Sequence, residues 1–227
     1  MIFDLLSGDL TSVLIRLLLV IPTILIALTF HEYAHGFVAY KLGDPTAKNL
    51  GRLTLNPLKH LDPVGALMML FVGIGYAKPV PINSRYFKNP KRGMALTALA
   101  GPVMNLILSF IGVTVYSVYF AFFGMKSYIA YTVYLFFYYF AYLNAYLAIF
   151  NLMPIPPFDG SRIALVLLPD KIYWGIMKYE RTIMIVTIVA LLALSRLGLN
   201  PFSGLADLFV KGVETMYSKI FALIFSH

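Results

Sequence analysis

The chain has 227 residues, 60% of them hydrophobic and only 12% charged, with a mean hydropathy of +0.80. Soluble globular domains are about half apolar and about a quarter charged, so an ordinary soluble domain is excluded and a membrane protein is expected. The formal charge of +8 sits in loop-like stretches, the pattern of cytosolic membrane-protein loops and not of a nucleic-acid surface, and the lack of cysteine excludes disulfides and thiolate metal ligands.

Residues 1–10 contain Asp4 and Asp9 and no basic residue. That is the wrong charge for a cleaved signal peptide, so the first apolar stretch is expected to stay as an anchor. Residues 10 to about 40 read as one long helix, apolar to Phe30 and then carrying His31, Glu32 and His35. Residues 41–92 are basic and punctuated by Pro and Gly. Within them the apolar piece 64–75 is too short to span and is expected to be re-entrant or interfacial. Residues 52–55 and 78–83 are candidate short strands, the second confined to an edge by Pro79 and Pro81. Two spans are predicted at 93–123 and 128–152, then a proline-rich break at 153–160. A short helical piece at 161–169 and an apolar helix at 182–197 follow. Residues 201–227 show helical spacing of apolar positions, and the helix either lies in the interface or packs on the bundle. The expected fold is an all-α polytopic membrane protein, a single domain over 1–227. It has about five to six transmembrane helices and a short re-entrant or β-like segment between residues 41 and 92.

Basic residues set the expected orientation. Residues 41–92 hold nine Lys/Arg against two Asp, whereas the turn after 123 holds only Lys126. The large loop is therefore expected in the cytosol, with the chain start outside. Arg16, near the outer end of the first helix, runs against this but is outnumbered.

The chemical signal is His31-Glu32-Tyr33-Ala34-His35, an H-E-x-x-H. Positions i and i+4 share a helix face, so both imidazoles can reach one zinc ion while Glu32 stands beside it. With four His and three Glu in the chain, residue frequencies give on the order of 0.001 chance occurrences of the motif. Ionisable groups in a span cost roughly 2.5–3.5 kcal/mol each on insertion scales, so they need a partner or a function. A polar cap in water at the helix end would not require this spacing.

Catalytic zinc keeps three protein ligands and an open position. Candidates for the third are Asp44, His60, Asp62, Asp159 and Asp170. Asp159 is favoured because Pro154, Pro156 and Pro157 unwind the chain just before it, leaving a carboxylate in irregular backbone of the kind tolerated around a wet cavity. Counting crossings also puts His31, His35 and Asp159 at the same end of the bundle. The competing role for Asp159 is a helix cap before Gly160 and Ser161.

The H-E-x-x-H helix, the Gly101-Pro102-Val103-Met104-Asn105 segment and the segment from Asn151 to Asp159-Gly160 together resemble the site-2 protease family of intramembrane zinc metalloproteases. The stretch from His31 to Gly65 is similar throughout to compact members, and the resemblance covers roughly residues 20–170. It implies one Zn2+ held by His31, His35 and Asp159, with Glu32 as general base and acid. It further implies that Asn105 and Asn151 line the site for substrate, and that strands within 41–92 guide an extended peptide. From the residues alone, the two asparagines could equally join helices by hydrogen bonds. The implied partner is a membrane-embedded peptide or protein substrate in a lipid bilayer, cleaved toward the cytosolic side of a cell membrane. A zinc or proton transporter would need two related halves with broken helices, and no repeat is present. A non-catalytic relative would lack a ligand or the Glu, and all four positions are filled. Oligomeric state is not legible.

Overall fold

The computed structural model describes residues 10–62, 78–124, 126–197 and 201–225. Three long helices form the body: α1 (Leu10–Lys41), α3 (Pro90–Phe123) and α4 (Tyr128–Asn151). Between α1 and α3 lie the one-turn helix α2 (Thr46–Asn49) and 3-10 turns at Pro57–Lys59 and Ser84–Tyr86. After α4 come α5 (Asp159–Leu165), α6 (Asp170–Lys178), α7 (Glu180–Arg196) and α8 (Pro201–Phe225).

Local chemistry sets the helix ends. Asn89 accepts from the Arg92 N–H over 3.0 Å and Pro90 opens α3, the preferred cap followed by a residue that needs no N–H partner. Gly124 ends it at φ +61° and ψ −173°, a positive-φ conformation that glycine adopts without a Cβ clash. Ser127 caps α4 through the Ala130 N–H at 3.1 Å, and Pro154 stops that helix from continuing.

α3 packs antiparallel against both α1 and α4. His31 meets Asn105 while His35 meets Thr97; Asn105 meets Asn144 while Ser109 meets Ala141. Small residues make the close approach possible. A Cβ on Gly112 would lie 3.0 Å from the Ala141 side chain. The core at the far end joins Val113 and Tyr116 of α3, Ala141 and Ala145 of α4, and Ala206 and Val210 of α8. α8 therefore packs on the bundle, which decides between the two placements its spacing allowed. Its polar residues find partners there: the Tyr116 hydroxyl donates to Glu214 over 2.5 Å, and Thr114 and Tyr217 bond at 2.7 Å.

The architecture is all-helical among the described residues. Three helices are long and apolar enough to cross a membrane: Val13–Lys41, Pro90–Phe123 and Tyr128–Asn151. Among the described residues these are three, and the expected five to six is not confirmed. The 17 residues of α7 reach about 26 Å at 1.5 Å per residue, short of a hydrocarbon core of about 30 Å. α8 carries Asp207, Lys211, Glu214 and Lys219. Helix α6 had no counterpart in the sequence reading. The expected re-entrant piece at 64–75 lies outside the described residues.

Neither candidate strand forms a ladder among the described residues. Proline at 79 and 81 removes two donors from the second, and Lys78, Val80 and Asn83 use their N–H groups elsewhere. Lys78 N–H reaches His60 O over 2.8 Å, Val80 N–H reaches Glu32, and Asn83 N–H reaches the buried Asp44 carboxylate over 2.6 Å. Asp44 also holds the Thr46 N–H at 2.9 Å, so one aspartate ties both ends of the large connection together.

Candidate metal centre

His31 and His35 stand one turn apart on α1, both buried. The proline break after α4 returns the chain so that Asp159, the first residue of α5, faces them. Three ligand atoms form a nearly equilateral triangle. The two Nε2 atoms are 3.0 Å apart, and Asp159 Oδ2 lies 3.1 Å from His31 Nε2 and 3.2 Å from His35 Nε2.

The opposite ring nitrogens decide what the triangle contains. His35 Nδ1 lies 2.7 Å from Thr97 O, a carbonyl that can only accept, so Nδ1 carries the hydrogen. His31 Nδ1 lies 2.5 Å from Asn105 Oδ1. The Asn105 amide is oriented by its own donors, since Nδ2 gives to Ala27 O at 3.2 Å and Asn144 Oδ1 at 2.8 Å. Its oxygen must then face His31, which donates from Nδ1. In the neutral imidazoles both Nε2 atoms present lone pairs inward. Asp159 Oδ2 is buried and has no hydrogen-bond partner of its own.

Two nitrogen lone pairs and a carboxylate oxygen at this separation repel one another unless positive charge lies among them. Burial disfavours the Asp159 carboxylate, yet positive charge on His35 and His31, with hydrogen bonds from them, outweighs it and holds the carboxyl well below the usual carboxylate range. The centre thus favours positive charge, as a proton on one Nε2 or as a divalent cation. Ligands at about 2.0–2.1 Å from a tetrahedral zinc are about 3.3 Å apart. The donor set, the separations and the outward Nδ1–H bonds that orient metal-binding histidines all fit zinc. Among the described residues this is the group of three His, Asp or Glu ligand atoms that comes within 4.8 Å.

Glycine makes room for the triangle. A Cβ on Gly101 would lie 2.5 Å from His35 Nε2 and 2.6 Å from His31 Nε2, and one on Gly160 would lie 2.1 Å from Leu152 O. Only a bare Cα lets α3 approach the histidines, and only a bare Cα lets the proline break fold back beside Asp159.

Glu32, next to His31 on α1, accepts the Val80 N–H at Oε2 over 2.7 Å. Asn151 donates to Leu147 O, four residues back on α4, over 2.9 Å. The other third-ligand candidates lie elsewhere. Asp44 ties the connection, His60 Nε2 bonds Thr54 O at 2.8 Å, and Asp170 pairs with Lys91 at 3.1 Å; Asp62 is outside the cluster. Sequence reasoning missed Thr97 and Asn144. Thr97 acts through its backbone and leaves no side-chain signal. Asn144 could have been flagged as an amide within an apolar helix, which demands a partner.

The description "Peptidase family M50" matches residues 19–195. The chain is 45% identical over 152 residues to a Bacillus subtilis protein named "Putative zinc metalloprotease YwhC", covering 66% of this chain and 69% of that one. Two further proteins share the designation. Rip2 of Mycolicibacterium smegmatis is 31% identical over 162 residues, covering 63% of this chain and 54% of its own length. MJ0611 of Methanocaldococcus jannaschii is 31% identical over 136 residues, covering 59% and 62%. The chain thus spans only about half of Rip2. No solved structure matches it significantly. The matched region starts inside α1, runs through both histidines, Asn105 and Asp159, and ends in α7; the chain belongs to Peptidase family M50.

Proposed function

We propose that the chain is a zinc metalloprotease that hydrolyses peptide bonds within or next to the transmembrane segments of membrane-anchored substrates. The observation that carries this reading is the convergence of His31, His35 and Asp159 at the helix turn whose sequence also carries Glu32, in a chain whose relatives bear the zinc metalloprotease name. His31, His35 and Asp159 would hold one Zn2+. When bound, zinc supplies a Lewis acid that activates water and polarises a carbonyl.

The remaining chemistry belongs to the side chains. Glu32 takes a proton from the attacking water at its carboxylate and passes it to the leaving nitrogen. Thr97 O and Asn105 Oδ1 keep both imidazoles in the tautomer that turns Nε2 inward. Asn105 spends its oxygen and both amide hydrogens on His31, Ala27 and Asn144, so its part is to support the ligand. Asn151 is the amide proposed to meet substrate backbone. The bundle end that holds the site carries the basic connection, which favours the cytosolic side. A helical substrate has its carbonyls tied in i to i+4 bonds and must unwind before attack, so Gly, Pro or Asn near the cut favours cleavage.

The test is cleavage of a panel of single-span membrane peptides by the purified protein in detergent. Cleavage is expected to stop on zinc chelation and to return with added zinc. Cleavage indifferent to the chelator would sink the reading.

A further inference from the structure

We propose that Asn144 is a positioning residue for the metal centre, fixing through Asn105 the tautomer of His31. The inference rests on the zinc reading above. Asn144 is fully buried in the middle of α4. Its Nδ2 donates to Phe140 O over 2.8 Å, and its Oδ1 accepts from Asn105 Nδ2 over 2.8 Å.

Acceptor-only carbonyls at both ends determine the direction of the chain. Phe140 O requires a donor, so the Asn144 amide must turn Nδ2 toward it and Oδ1 toward α3. Asn105 must then present Nδ2 to Asn144 and to Ala27 O, which leaves its Oδ1 for His31 Nδ1–H. A flipped Asn105 would set its oxygen against two other oxygens and its NH2 against His31. The result is a relay from α4 through α3 to α1, ending on a zinc ligand.

Packing alone does not explain Asn144. The bond to the carbonyl four residues back is one that Asn151 also makes on the same helix, so it satisfies an asparagine locally. The bond that distinguishes Asn144 crosses to Asn105. One turn along α3, Ser109 already joins the two helices by donating to Ala141 O at 2.7 Å. Removing a partner that orients a metal-binding histidine typically costs 10–100-fold in metal affinity.

The experiment measures zinc affinity of the full chain in detergent by competition with a chromogenic chelator. The variants are Asn144→Ser, Asn144→Asp, Asn105→Ala and the double variant Asn105→Ala/Asn144→Ser. The serine hydroxyl can still bond the carbonyl four residues back but cannot reach Asn105. Asn144→Ser should weaken zinc binding about tenfold, and at least fivefold. Asn144→Asp, whose protonated carboxyl keeps an acceptor for Asn105 and a donor for Phe140 O, should stay within about threefold of wild type. In the Asn105→Ala background the serine substitution should change affinity less than about twofold, because a residue acting only through Asn105 is non-additive with its loss. A loss below fivefold for Asn144→Ser, or the same loss in both backgrounds, overturns the proposal. Should the serine variant not accumulate, Asn144→Thr carries the same hydroxyl and is judged by the same thresholds. Wild type that binds no zinc would overturn the metalloprotease reading itself, and this inference with it.

Discussion

Val80 donates its backbone N–H to Glu32 Oε2 over 2.7 Å, so the segment 78–83 holds the carboxylate of the H-E-x-x-H turn. Prolines flank it on both sides, leaving Val80 the one donor in the run 79–81. Its side chain is buried and would meet a Cβ on Gly36 at 3.1 Å. Backbone and side chain therefore have separable tasks.

Val80→Pro removes the N–H and should lower kcat about tenfold with zinc content unchanged, since hydrogen bonds to charged groups are worth roughly 1.5–3 kcal/mol. Val80→Ala keeps the N–H and should cost stability before activity. Single-turnover cleavage rates beside zinc analysis check this; unchanged rates in Val80→Pro would mean that the bond does not orient Glu32.

The carboxylates of the chain should respond differently to neutralisation. Asp159→Asn keeps the shape but removes the charge that the two Nε2 atoms face, and should weaken zinc binding about a hundredfold. Asp170→Asn disturbs only the exposed contact with Lys91, worth about 0–1 kcal/mol, and should leave zinc affinity alone. Chelator competition on both variants makes the comparison.

Gly101→Ala would drive a methyl into both imidazoles. Zinc affinity should fall more than tenfold, and the protein should unfold at a lower temperature. Gly112→Ala meets Ala141 at the milder distance of 3.0 Å and should lower the unfolding temperature with zinc affinity retained. Metal content and thermal unfolding of the two purified variants separate the effects.

Tyr116→Phe deletes the hydroxyl that donates to Glu214. Losing a hydrogen bond to a part-buried carboxylate costs about 1 kcal/mol. Tyr116 lies 11 residues beyond Asn105 on the same helix, about 16 Å along the axis, so stability should fall while zinc affinity and cleavage hold. Equal losses in all three would show that the far core and the metal centre are coupled.

Much of the site was legible because its parts obey simple periodicities. His31 and His35 share a face by the i, i+4 rule, and counting helix crossings was enough to send Asp159 to the same end. What was not legible depends on atoms that a one-letter code does not orient. The Asn105 amide points its oxygen at His31 because Ala27 and Asn144 take its hydrogens, a fact of three-dimensional neighbours. Thr97 enters through a carbonyl that any residue would supply. The strand expected at 78–83 failed because residues 78, 80 and 83 give their N–H groups to His60, Glu32 and Asp44. Helix α6 escaped notice since Asp170–Lys178 is short and carries polar residues.

The most direct test compares wild type with Glu32→Gln, both purified in detergent, for zinc content and for cleavage of single-span membrane peptides. The account predicts about one zinc in each protein and cleavage by wild type alone. Cleavage at equal rates by both, or no zinc in either, would contradict it.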